Sequence, residues 1–296
     1  MSFDQQIADA MLRKSWQELD LSDKAPNNEP TLVILGGQPG AGKSSIIDMI
    51  EGRFNSNIVV LNGDEFKPYY PGYKQLLKTD PNKASKIVQE YSNYVVDAVK
   101  QELMQQRYNL IIEGTMRNPN IPINTAKLAR DDGYIVEACV IATNYYASRV
   151  GCINRYELDK FNSGVGRSVP VASHDEAYTN IPNTLQQLIA SKQFKDILIY
   201  SRYGEIIADY AKGDDIVGIY ENYRKEITPK LYKEVNQLID DTISLKSLRD
   251  ISNIELVELE KMREGFVKDF HEQQLIIKDQ NINLDLQEDY DELDYS

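Results

Sequence analysis

Apolar positions along the chain switch between two spacings. Thr31 to Leu35, Ile58 to Leu61, Leu110 to Ile112, Tyr134 to Ala142 and Ile197 to Tyr200 are short runs of aliphatic and β-branched residues, as expected of strands buried on both faces. Between them the apolar residues recur every three or four positions. Phe3 to Leu21, Ser45 to Ile50, Asn82 to Arg107, Pro122 to Arg130, Ala147 to Phe161 and His174 to Lys192 read as helices on that basis. Strand and helix in alternation predict an α/β fold, a doubly wound parallel sheet with helices on both faces.

Beyond Asp214 the pattern is helical. Lys246 to Gln280 is charged, with Ile251, Ile254, Leu259, Met262 and Phe266 forming an apolar seam expected to pack on the main domain, and Leu284 to Ser296 reads as an acidic, solvated tail. The division expected is therefore an N-terminal helix and linker (1–30), a main α/β domain (31–245) and a charged helical C-terminal extension with its tail (246–296).

The first strand runs into Gly37-Gln38-Pro39-Gly40-Ala41-Gly42-Lys43-Ser44, which fits the phosphate-loop pattern G-x-x-x-x-G-K-[ST]. A tight glycine-rich turn exposes successive backbone N–H groups as an anion nest, and the helix opening after it adds its positive end. Gly37 through Ser45 are thus candidate nucleotide contacts. Lys43 supplies a point charge for the outer phosphates, and the Ser44 hydroxyl can ligate magnesium. This makes the expected domain a P-loop NTPase or kinase, with ATP and Mg2+ as its ligands.

Ligands of an open parallel sheet bind at the carboxyl ends of the strands. Two further polar clusters follow strands there: Asn62-Gly63-Asp64, and Glu113-Gly114-Thr115 with Arg117 beyond. A kinase needs a proton acceptor, a metal and cations around the transferring phosphoryl group. Asp64 suits the acceptor, and it can also support magnesium. Glu113 can bond a hydroxyl-rich substrate, orient Arg117, or only hold metal or water. Arg155 on a helix and Arg167 in the loop 162–172 are candidate phosphate-binding cations. A guanine-specific switch would carry N-K-x-D, and Asn82-Lys83-Ala84-Ser85 lacks the Asp.

Composition narrows the partners. A net charge of -13 argues against a general nucleic-acid binder. Two cysteines, Cys139 and Cys152, make no disulfide framework, and two histidines are too few for a histidine-rich metal site. No stretch resembles a signal peptide or a membrane span, so the cytoplasm is the expected location.

Three segments taken together, Gly36 to Ser44, Asn62-Gly63-Asp64-Glu65-Phe66 and Tyr108 to Arg117, resemble the zeta toxin family of bacterial toxin–antitoxin pairs. Asn154-Arg155-Tyr156-Glu157 resembles the family's R-Y-E helix. Arg167-Ser168-Val169-Pro170 followed by His174-Asp175 resembles its R-x-x-P-x-x-x-H-D loop, and the likeness runs in order from about Thr31 to Tyr200. The resemblance implies an ATP-dependent UDP-N-acetylglucosamine kinase that phosphorylates the sugar's 3′-hydroxyl and blocks cell-wall synthesis. It implies Asp64 as base, Lys43, Arg155 and Arg167 on the phosphates, and Asp97, Glu113, Thr115, Arg117 and Thr125 around the sugar nucleotide. Asp97 stands where the family often has Glu. The resemblance also implies a small helical antitoxin protein as partner. A kinase for another nucleotide sugar or hydroxyl metabolite, and a nucleotide-dependent binding or switch module, are the alternative readings.

Overall fold

The computed structural model describes residues 3–248 and 253–293, with Asn82, Ser85, 253–255 and 279–293 as backbone alone. The chain divides into two compact units, residues 1–224 and 225–296. The division falls before the 245/246 boundary expected from composition.

In the first unit, α1 (Gln5–Glu18) precedes β1 (Thr31–Gly36), which leads through the glycine-rich turn into α2 (Lys43–Arg53). Next come β2 (Val59–Leu61), the short α3 (Gly63–Phe66), a 3-10 turn (Lys67–Tyr69), α4 (Tyr73–Thr79) and the long α5 (Pro81–Gln105). Then follow β3 (Leu110–Gly114), α6 (Asn120–Asp131), β4 (Ile135–Ala142), α7 (Tyr145–Ser163), α8 (Val171–Ser191), β5 (Asp196–Ser201), β6 (Ile206–Asp209) and α9 (Ile216–Lys225). Several starts are written into local chemistry. The Asp4 and Asp80 side chains cap α1 and α5, with Pro81 at the head of the latter, and Asn144 caps α7.

The sheet order is β2-β3-β1-β4-β5-β6. The first five strands are parallel, and β6 pairs antiparallel with β5. This is the expected doubly wound, P-loop kinase-like sheet, with one correction. The antiparallel edge strand β6 escaped the sequence reading, because four residues beginning at an exposed Ile206 carry too little apolar pattern to mark a strand.

Strand side chains alternate between faces. Leu32 and Ile34 of β1 join a cluster with Met11 of α1, Val95 and Val99 of α5, Ala126 of α6, and Ile181 and Leu185 of α8. Val33 and Leu35 point the other way, toward Ile46 and Ile50 of α2. Helices on both faces explain why β1 is buried at every position and reads as an unbroken apolar run.

In the second unit, α10 (Pro229–Ser247) and α11 (Asn253–Leu293) pack together. Tyr232 of α10 stacks on Phe266 and Phe270 of α11, and Gln273 of α11 accepts from Ile227 N and donates to Lys225 O. These contacts place α10 with the helix that follows it. Of the expected seam, Leu259 and Phe266 are fully buried. Ile251 and the last residues of the acidic tail lie outside the described residues, and α11 continues to Leu293. No helix among the described residues is long and apolar enough to cross a membrane.

Candidate active site

Because β2, β3 and β1 are neighbours, their carboxyl ends set three polar segments side by side. Leu35 pairs with Glu113 and Gly36 with Gly114, so the acid on β3 lies beside the entrance to the glycine-rich turn. The crossover from β3 to β4 over β1 makes this rim the switch point of the sheet, where doubly wound folds bind ligands.

The turn is tightly built. Gly40 and Gly42 have φ of 77° and 97°, a region that side-chain-bearing residues enter at a cost. A Cβ on Gly40 would stand 2.0 Å from Ser148 O and 2.9 Å from Cys152 Sγ, so the turn lies directly on α7. Gln38 is fully buried, and its Nε2 donates to Thr143 O (2.9 Å) and Ser148 Oγ (3.2 Å). Thr143 Oγ1 donates to Ala41 O at 2.9 Å. Ser148 Oγ in turn lies 3.0 Å from Nε2 of the buried His174, whose Nδ1 is 3.2 Å from Asp175. Burial lowers the His174 pKa. The His-Asp pair after the arginine loop is therefore tied to the turn through Ser148. We expect Gly40→Ala to lower stability by about 1–3 kcal/mol. A melting curve beside that of Gly52→Ala, where an added Cβ meets open space, checks this; equal melting temperatures would contradict it.

Lys43 curls back over the turn. Its Nζ donates to Gly37 O (3.0 Å) and Gln38 O (3.3 Å) and lies 3.7 Å from Glu113 Oε1. Burial pulls the ammonium below its usual range; Glu113 pushes back, and Arg155 adds to the pull. The other Glu113 oxygen accepts from Asn62 Nδ2 at 2.9 Å. Asn62 also caps α3, its Oδ1 accepting from Asp64 N at 2.9 Å. One asparagine thus ties the Glu113 carboxylate to the backbone of Asp64.

Asp64 is surrounded by cations. Lys67 Nζ lies 2.6 Å from Asp64 Oδ1, and Arg167 Nη1 lies 3.6 Å from Oδ2. Burial alone would raise the Asp64 carboxyl, but Lys67, with Arg167 and Arg155, outweighs it and holds the group below the usual carboxylate range. Next to it, burial and then the Glu113 charge push Glu65 up. Arg155 of α7 acts on both Asp64 and Lys43, and its Nε is buried with no hydrogen-bond partner among the described residues. An orphaned guanidinium N–H beside a glycine-rich cradle fits a phosphate ligand. Among the described residues no three His, Cys, Asp or Glu gather to hold a metal. Ser44 at the start of α2 instead fits a magnesium held chiefly by a nucleotide's phosphates and water.

The structure thus brings together Lys43, Asp64, Glu113, Arg155 and Arg167 from the sequence reading. The other four expected substrate contacts have settings of their own. Asp97 is exposed on α5 and paired with Lys100 at 2.6 Å. Ser92 and Val96 are the α5 residues that face Gly63 beside Asp64. Arg117 pairs with Glu176 of α8 at 3.2 Å, so Glu113 does not orient it. Thr125 is half-buried on α6, and Thr115 is half-buried just beyond β3. Lys67 and Asn62 were missed. An i,i+3 spacing from Asp64 was the only trace of Lys67, and it is common to many surface pairs.

Comparison with known proteins follows the same outline. Residues 17–222 match the family model described as Zeta toxin. A toxin zeta from Streptococcus pyogenes is 36% identical over 194 residues, covering 65% of this chain and 67% of that protein. Toxin PezT of Streptococcus pneumoniae serotype 4 is 29% identical over 227 residues, covering 73% of this chain and 90% of its own length. A solved structure from the PezAT chromosomal toxin–antitoxin system of Streptococcus pneumoniae superposes with a TM-score of 0.73 at 24% identity, covering 82% of this chain and 98% of that chain. That likeness carries the fold. With the family model spanning most of the first unit and the rim residues arranged around one glycine-rich turn, the chain belongs to the zeta toxin family.

Proposed function

We propose that this protein is an ATP-dependent phosphotransferase acting on the 3′-hydroxyl of the sugar in UDP-N-acetylglucosamine, and that it acts as a toxin against cell-wall synthesis. The observation that carries this reading is the pairing of Asp64 with phosphate-directed cations on one rim, at the mouth of the turn that ends in Lys43. ATP's phosphates would lie in the nest of residues 37–45, with Lys43, Arg155 and Arg167 as their cations. The acceptor hydroxyl attacks the γ-phosphorus, the bond to the β-phosphate oxygen breaks and ADP leaves, while the hydroxyl proton passes to Asp64. Magnesium bound with the nucleotide, through Ser44, would neutralise phosphate charge. We assign Asp64 to the proton rather than to the metal, because Lys67 and Arg167 already bring positive charge to it and would repel a magnesium ion there.

Glu113 and Thr115 supply polar groups for the sugar nucleotide at the end of β3. The exposed Asp97, engaged with Lys100, favours a second reading, a kinase of the same chemistry for a different nucleotide sugar. A small helical antitoxin is the proposed partner, in keeping with the toxin–antitoxin system named for the PezAT structure. The cytoplasm, where ATP and nucleotide sugars are found, is the proposed location.

The test is incubation with ATP, magnesium and a panel of nucleotide sugars, read by mass. UDP-N-acetylglucosamine is expected to gain one phosphate. Phosphate on another sugar nucleotide alone selects the second reading, and ATP binding without any phosphorylated acceptor contradicts both.

A further inference from the structure

Asp64 has two oxygens, and the two cations that meet them are unlike. Lys67 is only 7% exposed, sits in the turn directly after α3, and holds Oδ1 at 2.6 Å. Arg167 lies on the loop between α7 and α8, is 39% exposed, and stands 3.6 Å from Oδ2, with Asp159 as a second partner at 3.8 Å. The first is a fixed contact inside one short piece of chain, where little movement is open to the ammonium. The second is a loose contact from a loop, able to move to a phosphate.

Resting on the phosphotransferase reading above, we propose that Lys67 is a positioning residue for the reaction: it anchors Asp64 by Oδ1, so that Oδ2 becomes the proton-accepting oxygen once Arg167 turns to the triphosphate. The carboxylate then keeps one strong partner throughout and presents its other oxygen to the substrate. A carboxylate that kept both cations would be a weaker proton acceptor, its charge shared between two partners; one that lost both would be neither aimed nor held ionised.

The groups facing Asp64 are Lys67 and Glu65 from its own stretch, Lys43 of α2, Tyr73 of α4, Arg155 of α7 and Arg167. Ser92 of α5 donates to Gly63 O beside it and carries no charge. Of these, Lys67 is the largest influence keeping the carboxyl ionised. With Lys67 gone, burial acts against the charged form, so the carboxyl takes up a proton at higher pH. The acidic limb of the rate profile therefore moves upward.

The experiment measures kcat against pH from about 3 to 8 for the wild type, Lys67→Met and Lys67→Arg, with ATP, magnesium and the acceptor found above. Lys67→Met is expected to move the acidic limb up by about one unit or more and to lower kcat roughly tenfold at neutral pH through lost aim. Lys67→Arg is expected to restore most of both. A Lys67→Met enzyme whose rate falls equally at every pH, with no movement of the limb, would overturn the proposal and leave Lys67 a structural residue. If Lys67→Met does not fold, a carboxyl NMR titration of Arg167→Ala, with Asp64→Asn in that background to assign the signal, decides: with Lys67 left as the close partner, titration at or above the ordinary Asp value near 3.9 overturns it. Asp64→Asn distinguishes the two levels of the account. Full activity in that variant removes the base and this proposal with it, whereas an inactive Asp64→Asn beside an unshifted Lys67→Met removes the proposal alone.

Discussion

Asp64→Asn is expected to lower kcat for phosphoryl transfer by about 10²–10⁴-fold, the range for loss of a positioned general base. The amide keeps the shape of the side chain, and Lys67 and Arg167 lose a charge partner, but the proton of the acceptor hydroxyl has nowhere to go. Asp64 is 40% exposed, so the loss should fall on rate rather than on folding. ATP affinity should hold or rise, since Arg167 no longer has a carboxylate competing with phosphate for it. Single-turnover kinetics together with nucleotide binding check this: a fall in affinity with kcat unchanged would assign Asp64 to ligand binding instead of proton transfer.

Lys43→Ala carries the second largest expected loss, about 10²–10³-fold in kcat, the size seen when one preorganised partner of developing charge is removed. In the structure its ammonium rests on Gly37 O, Gln38 O and Glu113. Those contacts keep a buried cation compensated, and a triphosphate would exchange them for phosphate oxygens. Removing the ammonium leaves Glu113 without its ion partner but still bonded to Asn62, so the rim should persist. Steady-state rates with saturating ATP measure the effect; a loss under about tenfold would mean that Lys43 does not meet the transferring group.

Much of this site was legible before the fold. Glycine at positions 40 and 42 answers to backbone geometry, and Lys43 and Ser44 are of the types that phosphate and magnesium chemistry would use, so the turn declares itself in eight letters. Apolar runs ending in Asp64 and Glu113 were enough to put both acids on one rim, because parallel strands share a carboxyl end. Pair identity was less legible. That Glu113 bonds Asn62 rather than Arg117, and that Lys67 rather than a more distant arginine is the close partner of Asp64, depends on side-chain directions that letter spacing does not encode. The same holds for Asp97. One position separates it from Val96, and about 100° of helix rotation turns its carboxylate to solvent and Lys100. The edge strand β6 was lost for a different reason, since a short strand at a sheet edge needs little apolar residue content to pair.

Gln38 shows how a motif can hide a second task. Its position within the glycine-rich turn suggests a variable residue. Its side chain instead runs inward to Thr143 and Ser148, joining the turn to the helix that carries Arg155 and, through His174, to the helix after Arg167's loop. The glycine-rich turn, the helix that carries Arg155 and the helix after Arg167's loop are therefore parts of one buried hydrogen-bonded assembly.

The most direct test is a crystal structure with a non-hydrolysable ATP analogue, magnesium and UDP-N-acetylglucosamine bound together. The account predicts Oδ2 of Asp64 within about 3.2 Å of the sugar's 3′-hydroxyl, and that hydroxyl about 3–3.5 Å from the γ-phosphorus, in line with the bond to be broken. A complex in which the sugar lies elsewhere, or in which another group stands against the hydroxyl while Asp64 remains locked to both Lys67 and Arg167, would contradict it.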